Sequence, residues 1–361
     1  MKIGLTFDLR REYLALGFSQ EETAEFDSDA TIDALEGALI SLGHEVQRVG
    51  SIYRLVKILS GAAPPRVSGV APPRVNGAAS PRVDGGGRWD LVFNVCEGLH
   101  GKSREAQVPA LLDAFGIPYT FSDPVTLCLC HDKDAAKRII SHAGIPTPEF
   151  FTVESVESLD KLGESIDIDK PRPDGLKKYP LFVKPVSEGT GKGIDAESVV
   201  WDFQALKNRA AHVIEKYRQA AIVETYLPGR EFTVGVLGTG DEARVVGVME
   251  VKLREGAEPG VYSYTNKERC EELVEYVLVE DRAIAREAAD IVLSAYRALG
   301  LRDAGRIDVR ADSAGRINFI EANPLAGLHP SHSDLPIMCT KAGMSYETLI
   351  ARIVDSAARR I

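Results

Sequence analysis

A hairpin near the carboxyl end carries charged side chains among largely apolar neighbours, in the sequence GRIDVRADSAGRINFIEANPLAG. The turn is expected at residues 312–315, because Asp, Ser and Gly are frequent in tight turns. In that register Asp308 pairs with Phe319, and Arg306 pairs with Glu321. Side chains alternate between the two faces of a strand, so these four residues are predicted to share one face.

This face brings two carboxylates together. Asp308 and Glu321 become diagonal neighbours, and their like charges repel each other unless a cation lies between them. Asn323 adds a neutral oxygen, and oxygens of these types suit Mg²⁺. Arg306 is close enough to bind an anion. The alternative is a solvated hairpin whose charges pair with one another.

A second candidate site is the sequence KPVSEGTGKG, which predicts a strand end followed by a glycine-rich loop. Lys184 supplies a positive charge, and Gly189, Gly191 and Gly193 alternate with other residues. Glycines allow backbone N–H groups to surround an anion, so the loop can bind phosphate. It matches neither the Walker A nor the Rossmann glycine pattern. A flexible turn is the alternative for this loop taken alone.

A third candidate is the sequence ETYLPGREF, which begins at a predicted strand end. The stretch from Glu224 to Leu227 can offer backbone groups to the edge of a purine. Glu231, further along, can accept hydrogen bonds from ribose hydroxyls. A plain β-turn is the alternative for this stretch.

The elements that must position these residues follow an α/β pattern. KIGLTFD, HEVQRV and WDLVFNV predict strands, and a helix from about Asp29 has an apolar face that ends at Gly43. Strand–helix–strand order favours a parallel sheet. SDPVTLCLCHDKDAAKRIISHAGIP predicts a helix that starts at Asp-Pro and ends near Gly144. A long helix is expected over residues 280–299, before the hairpin.

Composition bounds the class of protein. The chain has 361 residues, which predicts two or three domains. A net charge of −10 argues against nucleic-acid binding. No apolar stretch is long enough to span a membrane, and MKIGLTFDLR does not resemble a signal peptide, so we expect a cytoplasmic protein. The five cysteines form no C-x-x-C pair, which favours reduced thiols.

A repeated segment separates the second and third predicted strands. The unit P-R-V-x-G occurs three times in GAAPPRVSGVAPPRVNGAASPRVDGGG. It has almost no apolar surface to bury, so residues 60–88 are expected to form a disordered loop without a catalytic role. A proline-rich docking site is the alternative.

Taken together and in this order, the motifs resemble the ATP-grasp superfamily and, within it, the D-alanine–D-alanine ligases. The resemblance runs from about Leu91 to the carboxyl end. It is strongest in GIPYT followed by D-K-x-x-x-K, in K-P-x-x-E-G, in L-P-G-R-E-F-T-V, and in G-R-I-D-V with E-A-N. It implies an α/β protein with an amino-terminal Rossmann-like domain (1–123), a central ATP-grasp domain (124–226) and a carboxyl-terminal ATP-grasp domain with the metal site (227–361).

The resemblance also implies a role for each matching residue. Nucleotide binding is implied for Lys133, Lys184, Glu188, Gly191, Glu224, Leu227 and Glu231. Binding of Mg²⁺, or alternatively Mn²⁺, is implied for Asp308, Glu321 and Asn323. A catalytic role is implied for Arg306 and the backbone N–H of Gly327, as an oxyanion-stabilising pair, and for Lys267, as the lysine of a mobile loop. Substrate contacts are implied for Ser333 and His100.

The implied activity is an ATP-dependent ligation. A carboxylate attacks the γ-phosphate of ATP to give an acylphosphate, and an amine then attacks the acyl carbon. The acylphosphate must be protected from water, so residues 255–270 are expected to close as a lid. The implied partners are small amino-acid or peptide substrates, and the implied assembly is a homodimer.

The amino-terminal part departs from the family. TFDLRREYLALGFSQEE lacks the Gly-Gly pair and the Ser-x-Glu that bind the first substrate in those ligases. We therefore predict an altered first-substrate subsite, in which Asp8, Arg10 or Arg11 either binds substrate or belongs to a surface loop. Two alternatives stay open: an authentic D-alanine–D-alanine ligase with a rebuilt subsite, and a nucleotide-binding scaffold without ligase activity.

Overall fold

The computed structural model describes residues 1–61, 89–159, 179–258 and 260–361. The repeated segment, over residues 62–88, lies outside the described residues. The strands are β1 (Lys2–Phe7), β2 (Glu45–Gly50), β3 (Leu91–Val95), β4 (Phe150–Val153), β5 (Leu181–Pro185), β6 (Val199–Val200), β7 (Ala221–Thr225), β8 (Glu231–Leu237), β9 (Arg244–Leu253), β10 (Val274–Leu278), β11 (Ala304–Ala311) and β12 (Ile317–Asn323).

Helices connect and cover these strands. They are α1 (Arg10–Ala15), α2 (Asp29–Ser41), α3 (Ile52–Leu59), α4 (Gln107–Ala114), α5 (Pro124–His131), α6 (Lys133–His142), α7 (Phe203–Tyr217), α8 (Tyr264–Glu268), α9 (Cys270–Leu273), α10 (Arg282–Leu299), α11 (Asp334–Lys341) and α12 (Tyr346–Ala358). Among the described residues, no helix combines the length and the apolar character needed to cross a bilayer.

The first sheet is parallel, with the strand order β2-β1-β3. The parallel pairing confirms the parallel sheet that was predicted for the first three strands. Leu5 and Thr6, on opposite faces of the central strand β1, are both fully buried, as expected for a strand covered on both faces. Helix α2 begins at Ser28, whose side chain accepts a hydrogen bond from the backbone N–H of Thr31. The helix buries Leu35 against this sheet.

The helix predicted between Asp-Pro and Gly144 is two helices, so that prediction was wrong in its middle. Asp132 ends α5 and begins α6, with an extended backbone and a side chain that accepts from the N–H of Ala135. The cap interrupts the helical hydrogen bonds and changes the direction of the chain. Lys133 is consequently the first residue of a new helix, close to the end of β5, where its N–H donates to Val186 O.

The other two sheets are antiparallel. One has the order β4-β7-β5-β6 and is covered by α7, which buries Leu206 and Val213. The other has the order β10-β9-β8-β11-β12. Helix α10 covers this second sheet, with Tyr296 fully buried. Its bounds agree with the long helix expected over residues 280–299.

The hairpin β11–β12 has a different register from the one predicted. The turn lies where it was expected, but Asp308 is directly opposite Glu321, and Arg306 is opposite Asn323. The register shifts after Asp308, because Ile320 is an extra residue on β12. Phe319 therefore pairs with Val309 on the buried face rather than sharing the face of the charged residues.

Helices from different parts of the chain pack against one another. Helices α5 and α6 pack with α10 and β12, and α12 packs against α2. The first and the last parts of the chain thus share one apolar core. The predicted domain boundaries, near residues 123 and 226, stay predictions.

Candidate active site

Two neighbouring cavities lie where the sheets meet. The larger, of about 340 Å³, is bounded by residues 24–28, the glycine loop, the end of β12, the loop before α11 and the helices α8 and α9. The smaller, of about 60 Å³, lies between the ends of β5 and β7 and the strands β8 and β11. Lys267 and Glu321 line both cavities, so the two form one candidate site.

The charged face of the hairpin lies between the two cavities. Arg306 Nη1 lies 2.6 Å from both carboxylate oxygens of Asp308 and 3.3 Å from Asp334 Oδ2. Asn323 Nδ2 lies 3.4 Å from Asp308 Oδ2. Burial raises the pKa of Asp308, and although Arg306 opposes this effect, the facing Glu321 adds to it. The two carboxylates therefore compete for positive charge.

Glu321 is the carboxylate on which the cations converge. Lys133 Nζ lies 3.5 Å from Glu321 Oε2. Burial would raise the pKa of Glu321, but Lys133, Lys267 and Lys184 outweigh burial and hold it well below its usual range. Glu321 is thus ionised and surrounded by ammonium groups.

The hairpin residues fit a hard divalent cation by their chemistry. Asp308 and Glu321 face each other across the strand pair, and Asn323 adds an amide. Among the described residues, no cluster of three or more His, Cys, Asp or Glu side chains is arranged to hold a metal. A metal at the hairpin therefore needs the amide oxygen of Asn323 as well as the two carboxylates.

A buried ion triad lies beside the smaller cavity. Glu224 lies 3.1 Å from Lys137 and 3.2 Å from Lys184, and all three side chains are almost fully buried. Burial would raise the pKa of Glu224, but the two lysines hold it below its usual value. Burial lowers the pKa of Lys137 to about 8. The Glu224 carboxylate thus pairs with the two lysines, so a ligand can contact only the backbone of Glu224.

The rest of the smaller cavity combines apolar and charged groups. Leu227 and Tyr226 line it together with Glu231. Arg310 Nη1 lies 3.1 Å from Glu231 Oε2. Burial raises the pKa of Glu231 in spite of Arg310. The predicted ribose ligand is therefore a partly buried carboxylate at the edge of the cavity.

The glycine loop lines the larger cavity and contacts both α6 and α8. Lys133 Nζ donates to the backbone oxygen of Glu188, and the Glu188 carboxylate lies 3.0 Å from Lys192. Gly191 has a φ of +72°, and a Cβ there would lie 3.0 Å from the backbone N of Tyr264. Only glycine permits both this conformation and this contact. The loop thus packs directly against α8.

Helices α8 and α9, which we call the lid helices, cover the site. Asn266 is fully buried and bonds to the backbone of Glu258 and Val261. Lys267 Nζ lies 4.8 Å from the centroid of the Tyr262 ring, within cation–π distance. The ring supports the lysine while its ammonium group faces the cavity that Glu321 lines. The predicted lid residue is therefore close to the predicted metal ligands.

The loop before α11 forms another wall. A Cβ at Gly327 would lie 2.7 Å from Ser333 Oγ, so the close approach of this loop requires glycine. Ser333 Oγ accepts a hydrogen bond from the backbone N of His329. Both predicted residues, Gly327 and Ser333, line the larger cavity.

The amino-terminal wall of the cavity is acidic. Glu25 lies 2.7 Å from Arg104 and 3.4 Å from Lys192 of the glycine loop. Burial opposes ionisation of Glu25, but these two cations lower its pKa. Glu97 lies 3.8 Å from Arg104, and burial raises its pKa well above the usual value.

Asp27 is the carboxylate on this wall that has no hydrogen bond or ion pair from its side chain within the described residues. It lines the larger cavity and also a small cavity of about 30 Å³ that Gly327 lines from the other side. Burial, reinforced by Asp8, raises the pKa of Asp27 to about 8. A cation entering this part of the cavity would favour the ionised form of Asp27.

The remaining predicted substrate residues lie in different places. Asp8 is buried and accepts hydrogen bonds from Tyr13 and from the backbone of Gly98. Arg10 lines the larger cavity, whereas Arg11 is largely exposed and pairs with Asp29 on the surface. His100 is exposed and is not among the described residues that line the cavity.

Comparison with known proteins agrees with this geometry. Residues 139–355 match the family model described as D-ala D-ala ligase C-terminus. The D-alanine–D-alanine ligase of Bordetella petrii is 33% identical over 275 residues, which are 76% of this chain and 77% of that protein. The chain belongs to the D-alanine–D-alanine ligase family.

Two further comparisons extend the result. The uncharacterized protein y4sG of Sinorhizobium fredii is 32% identical over 279 residues, which are 75% of each chain. The crystal structure of the Bacillus anthracis D-alanine–D-alanine ligase with ATP has a TM-score of 0.67 at 19% identity, over 100% of this chain and 98% of that one. The structural similarity shows the fold. The predicted family, the α/β ATP-grasp fold and the class of ATP-dependent ligase that forms C–N bonds are confirmed.

Sequence reasoning did not assign a role to several residues of this D-alanine–D-alanine ligase-like site. The sequence could have indicated Lys137, because it is the second lysine of D-K-x-x-x-K. It follows Lys133 by four residues and therefore lies on the same helix face. Arg310 follows Arg306 and Asp308 at alternate strand positions. Asp27 lies in an irregular segment, where no periodicity marks it.

Proposed function

We propose that this protein joins a carboxylate to an amine through an acylphosphate, using ATP and Mg²⁺, and that its first-substrate subsite is altered. The observation that carries the proposal is the set of cations that surrounds Glu321: Lys133, Lys184, Lys267 and Arg306. A triphosphate and its metal need this combination of concentrated positive charge and carboxylate oxygens, because phosphoryl transfer depends on positioning and electrostatic stabilisation.

The nucleotide would lie between the two antiparallel sheets. Its adenine would contact the backbone from Glu224 to Leu227, and its ribose would contact Glu231, since these residues line the smaller cavity. Asp308, Glu321 and Asn323 would hold Mg²⁺, which when bound neutralises charge on the phosphate oxygens.

The protein's own residues would position the reacting groups. Lys267 lines both cavities and Lys184 lines the smaller one, and both would compensate the charge of the transferring phosphoryl group. Arg306 and the N–H of Gly327 would stabilise the oxyanion that forms when the amine attacks. The lid helices would exclude water, which otherwise hydrolyses an acylphosphate.

The altered first-substrate subsite would lie at the amino-terminal wall. Asp27 faces the same small cavity as Gly327, and its carboxylate is without a partner among the described side chains. A positively charged amino group on the carboxylate donor would favour ionisation of Asp27 and pair with the resulting carboxylate. We therefore propose that the donor is an amino acid or peptide, oriented by its ammonium group on Asp27.

The test is a substrate screen. The protein is incubated with ATP, Mg²⁺ and a panel of D- and L-amino acids and dipeptides, singly and in pairs, and both phosphate release and product mass are measured. We expect phosphate release coupled to a product whose mass is the sum of the two substrates minus water. We expect another substrate pair to exceed D-alanine alone in kcat/KM.

The screen also separates the alternatives. If D-alanine alone gives the highest kcat/KM, the subsite is rebuilt but its specificity is not altered, and the protein is an authentic D-alanine–D-alanine ligase. If ATP binds and no substrate of the panel releases phosphate, the ligase proposal is wrong and a nucleotide-binding scaffold is favoured.

A further inference from the structure

A thiol and an imidazole meet in the wall of the larger cavity, on residues that the proposed ligation does not use. Cys270 Sγ lies 3.8 Å from His332 Nδ1. Glu271 Oε1 lies 3.7 Å from the same nitrogen. Cys270 is the first residue of the lid helix α9, and His332 belongs to the loop before α11. The pair therefore joins the lid to the wall that contains Ser333.

The surroundings of Cys270 include further titratable groups. Cys270 packs in one apolar cluster with Tyr262 and Tyr276, whose hydroxyl oxygens lie 2.6 Å apart. Burial raises the pKa of both tyrosines, and the nearby Asp334 adds to the shift, so both stay neutral near pH 7. His329 stacks edge-on against His332 at 6.0 Å between ring centroids.

His332 lies within hydrogen-bond distance of the Cys270 sulfur. The hydrogen bond to Cys270 raises the pKa of His332 to about 9, with a further contribution from Glu271. An adjacent imidazolium is a common cause of cysteine reactivity, because the thiolate rather than the thiol is the nucleophile.

The other cysteines provide an internal comparison. Burial raises the pKa of Cys96, Cys130 and Cys339, and Cys128 is half-buried. Within the described part of the chain, no other cysteine is hydrogen-bonded to a histidine. Four of the five cysteines thus have surroundings that either disfavour the thiolate or lack an imidazole partner.

We propose that Cys270 is a modification site: a thiol activated by His332 that reacts with soft carbon electrophiles and thereby disables the lid. In the reaction with an alkyl halide, the thiol proton passes to water, the positively charged His332 ring stabilises the negative charge on sulfur, and the sulfur attacks the carbon that bears the halogen. The S–C bond forms as the carbon–halogen bond breaks, and the halide leaves with the electron pair.

The effect on the lid follows from packing. Cys270 is 4% exposed, so an adduct of several heavy atoms cannot be accommodated without moving its neighbours. Tyr262 shares the cluster with Cys270, and its ring supports Lys267. Alkylation therefore displaces Lys267 from the site. This consequence rests on the proposed function, in which Lys267 compensates the transferring phosphoryl group, whereas the reactivity of Cys270 does not.

Labelling with iodoacetamide, read by peptide mass spectrometry, tests the reactivity without any assay of ligation. In the native protein we expect Cys270 to be labelled about tenfold faster than any other cysteine. His332→Gln should slow the labelling of Cys270 about tenfold, and Cys128→Ser should leave it unchanged.

Activity measurements test the effect on the lid. Wild-type ligation should be lost in parallel with labelling of Cys270, and the Cys270→Ser enzyme should keep its own starting activity after the same treatment. Labelling of Cys128 with Cys270 unmodified, or equal rates in wild type and His332→Gln, would overturn the activated thiol. Full activity after complete labelling of Cys270 would overturn the effect on the lid.

Discussion

The two sides of the larger cavity use the same kinds of residue with opposite charge balance. On the side of the hairpin, Glu321 is surrounded by cations: Lys133, Lys184, Lys267 and Arg306. On the amino-terminal side, Glu25 pairs with the neighbouring Arg104 and Lys192, while the Asp27 carboxyl has no cationic partner among the described residues and its pKa is raised to about 8. The first side is suited to an anionic ligand and the second to a cationic one.

The two sides also differ in whether the matched family model covers them. The hairpin, the glycine loop and Glu224 lie in the part that matches the family model, residues 139–355. The amino-terminal wall, with residues 24–28, lies outside that match and outside the motifs of the resemblance. Changes on the two sides should therefore have separable effects on nucleotide chemistry and on donor selection.

The largest expected effect is on the hairpin side. Glu321→Gln removes the carboxylate on which the cations converge, so the metal and the triphosphate lose a charged ligand. We expect kcat to fall roughly 10²–10³-fold, the range found when one group that stabilises transition-state charge is removed. Initial rates of ATP-dependent phosphate release measure this, with thermal unfolding as a check on the fold.

The matched control for that change is Glu347→Gln, at an exposed carboxylate on α12. It should leave kcat unchanged. A correctly folded Glu321→Gln enzyme with wild-type activity would contradict the proposal that Glu321 is a metal ligand.

The next effect concerns stability on the same side. Glu224→Gln leaves Lys137 and Lys184 buried without a carboxylate, and breaking a buried ion pair in this way costs about 3 kcal/mol or more. Urea unfolding should show this loss in the free energy of unfolding, and ATP should bind less tightly. The exposed Glu275→Gln on β10 is the control, and equal stability of the two variants would contradict the role of the triad.

On the amino-terminal side, the expected effect is on the donor. Asp27→Asn removes the proposed ammonium ligand, and hydrogen bonds to charged groups contribute about 1.5–3 kcal/mol. The KM for the donor should rise roughly 10–100-fold, with the KM for ATP unchanged. Asp29→Asn, two residues further along and exposed, should leave both constants unchanged. A rise in the KM for ATP instead would show that the two sides are not separable.

The smallest effect is a pH dependence of stability. The pKa of Asp27 is about 8 in the folded protein and 3.8 for an ordinary aspartate. The folded state binds the Asp27 proton more tightly than the unfolded state does. The stabilisation that this proton gives is therefore fully present below pH 3.8 and is lost as pH rises through 8.

Asp27→Asn removes the titrating group, so the variant does not lose stability at this site as pH rises. In the absence of substrate, urea unfolding should show the variant gaining stability relative to wild type as pH rises from 5 to 8, with little further gain above pH 8. A difference that is constant over this range would mean that the Asp27 carboxylate is already compensated.

The sequence predicted much of the hairpin side, because strand alternation and helix periodicity are local. Arg306, Asp308 and Glu321 were expected on one face, and they share it. The register was wrong, since the extra residue Ile320 leaves no mark in a single sequence. Its consequence is that the two carboxylates face each other directly instead of diagonally.

The amino-terminal side could not be predicted in the same way. Its ion pairs join residues that are far apart in the chain, such as Glu25 and Lys192, which are separated by 167 positions. Asp27 lies between α1 and α2 in a segment without periodic apolar residues. Only the packing of that segment against the cavity, which a pattern of residue types does not encode, identifies it.

The most direct test of the account is a crystal structure of the protein with a non-hydrolysable ATP analogue and Mn²⁺. The anomalous signal of Mn²⁺ should lie within coordination distance of Asp308, Glu321 and Asn323, with the adenine against the backbone from Glu224 to Leu227. Mn²⁺ and triphosphate bound away from the hairpin would contradict the proposed roles of all these residues.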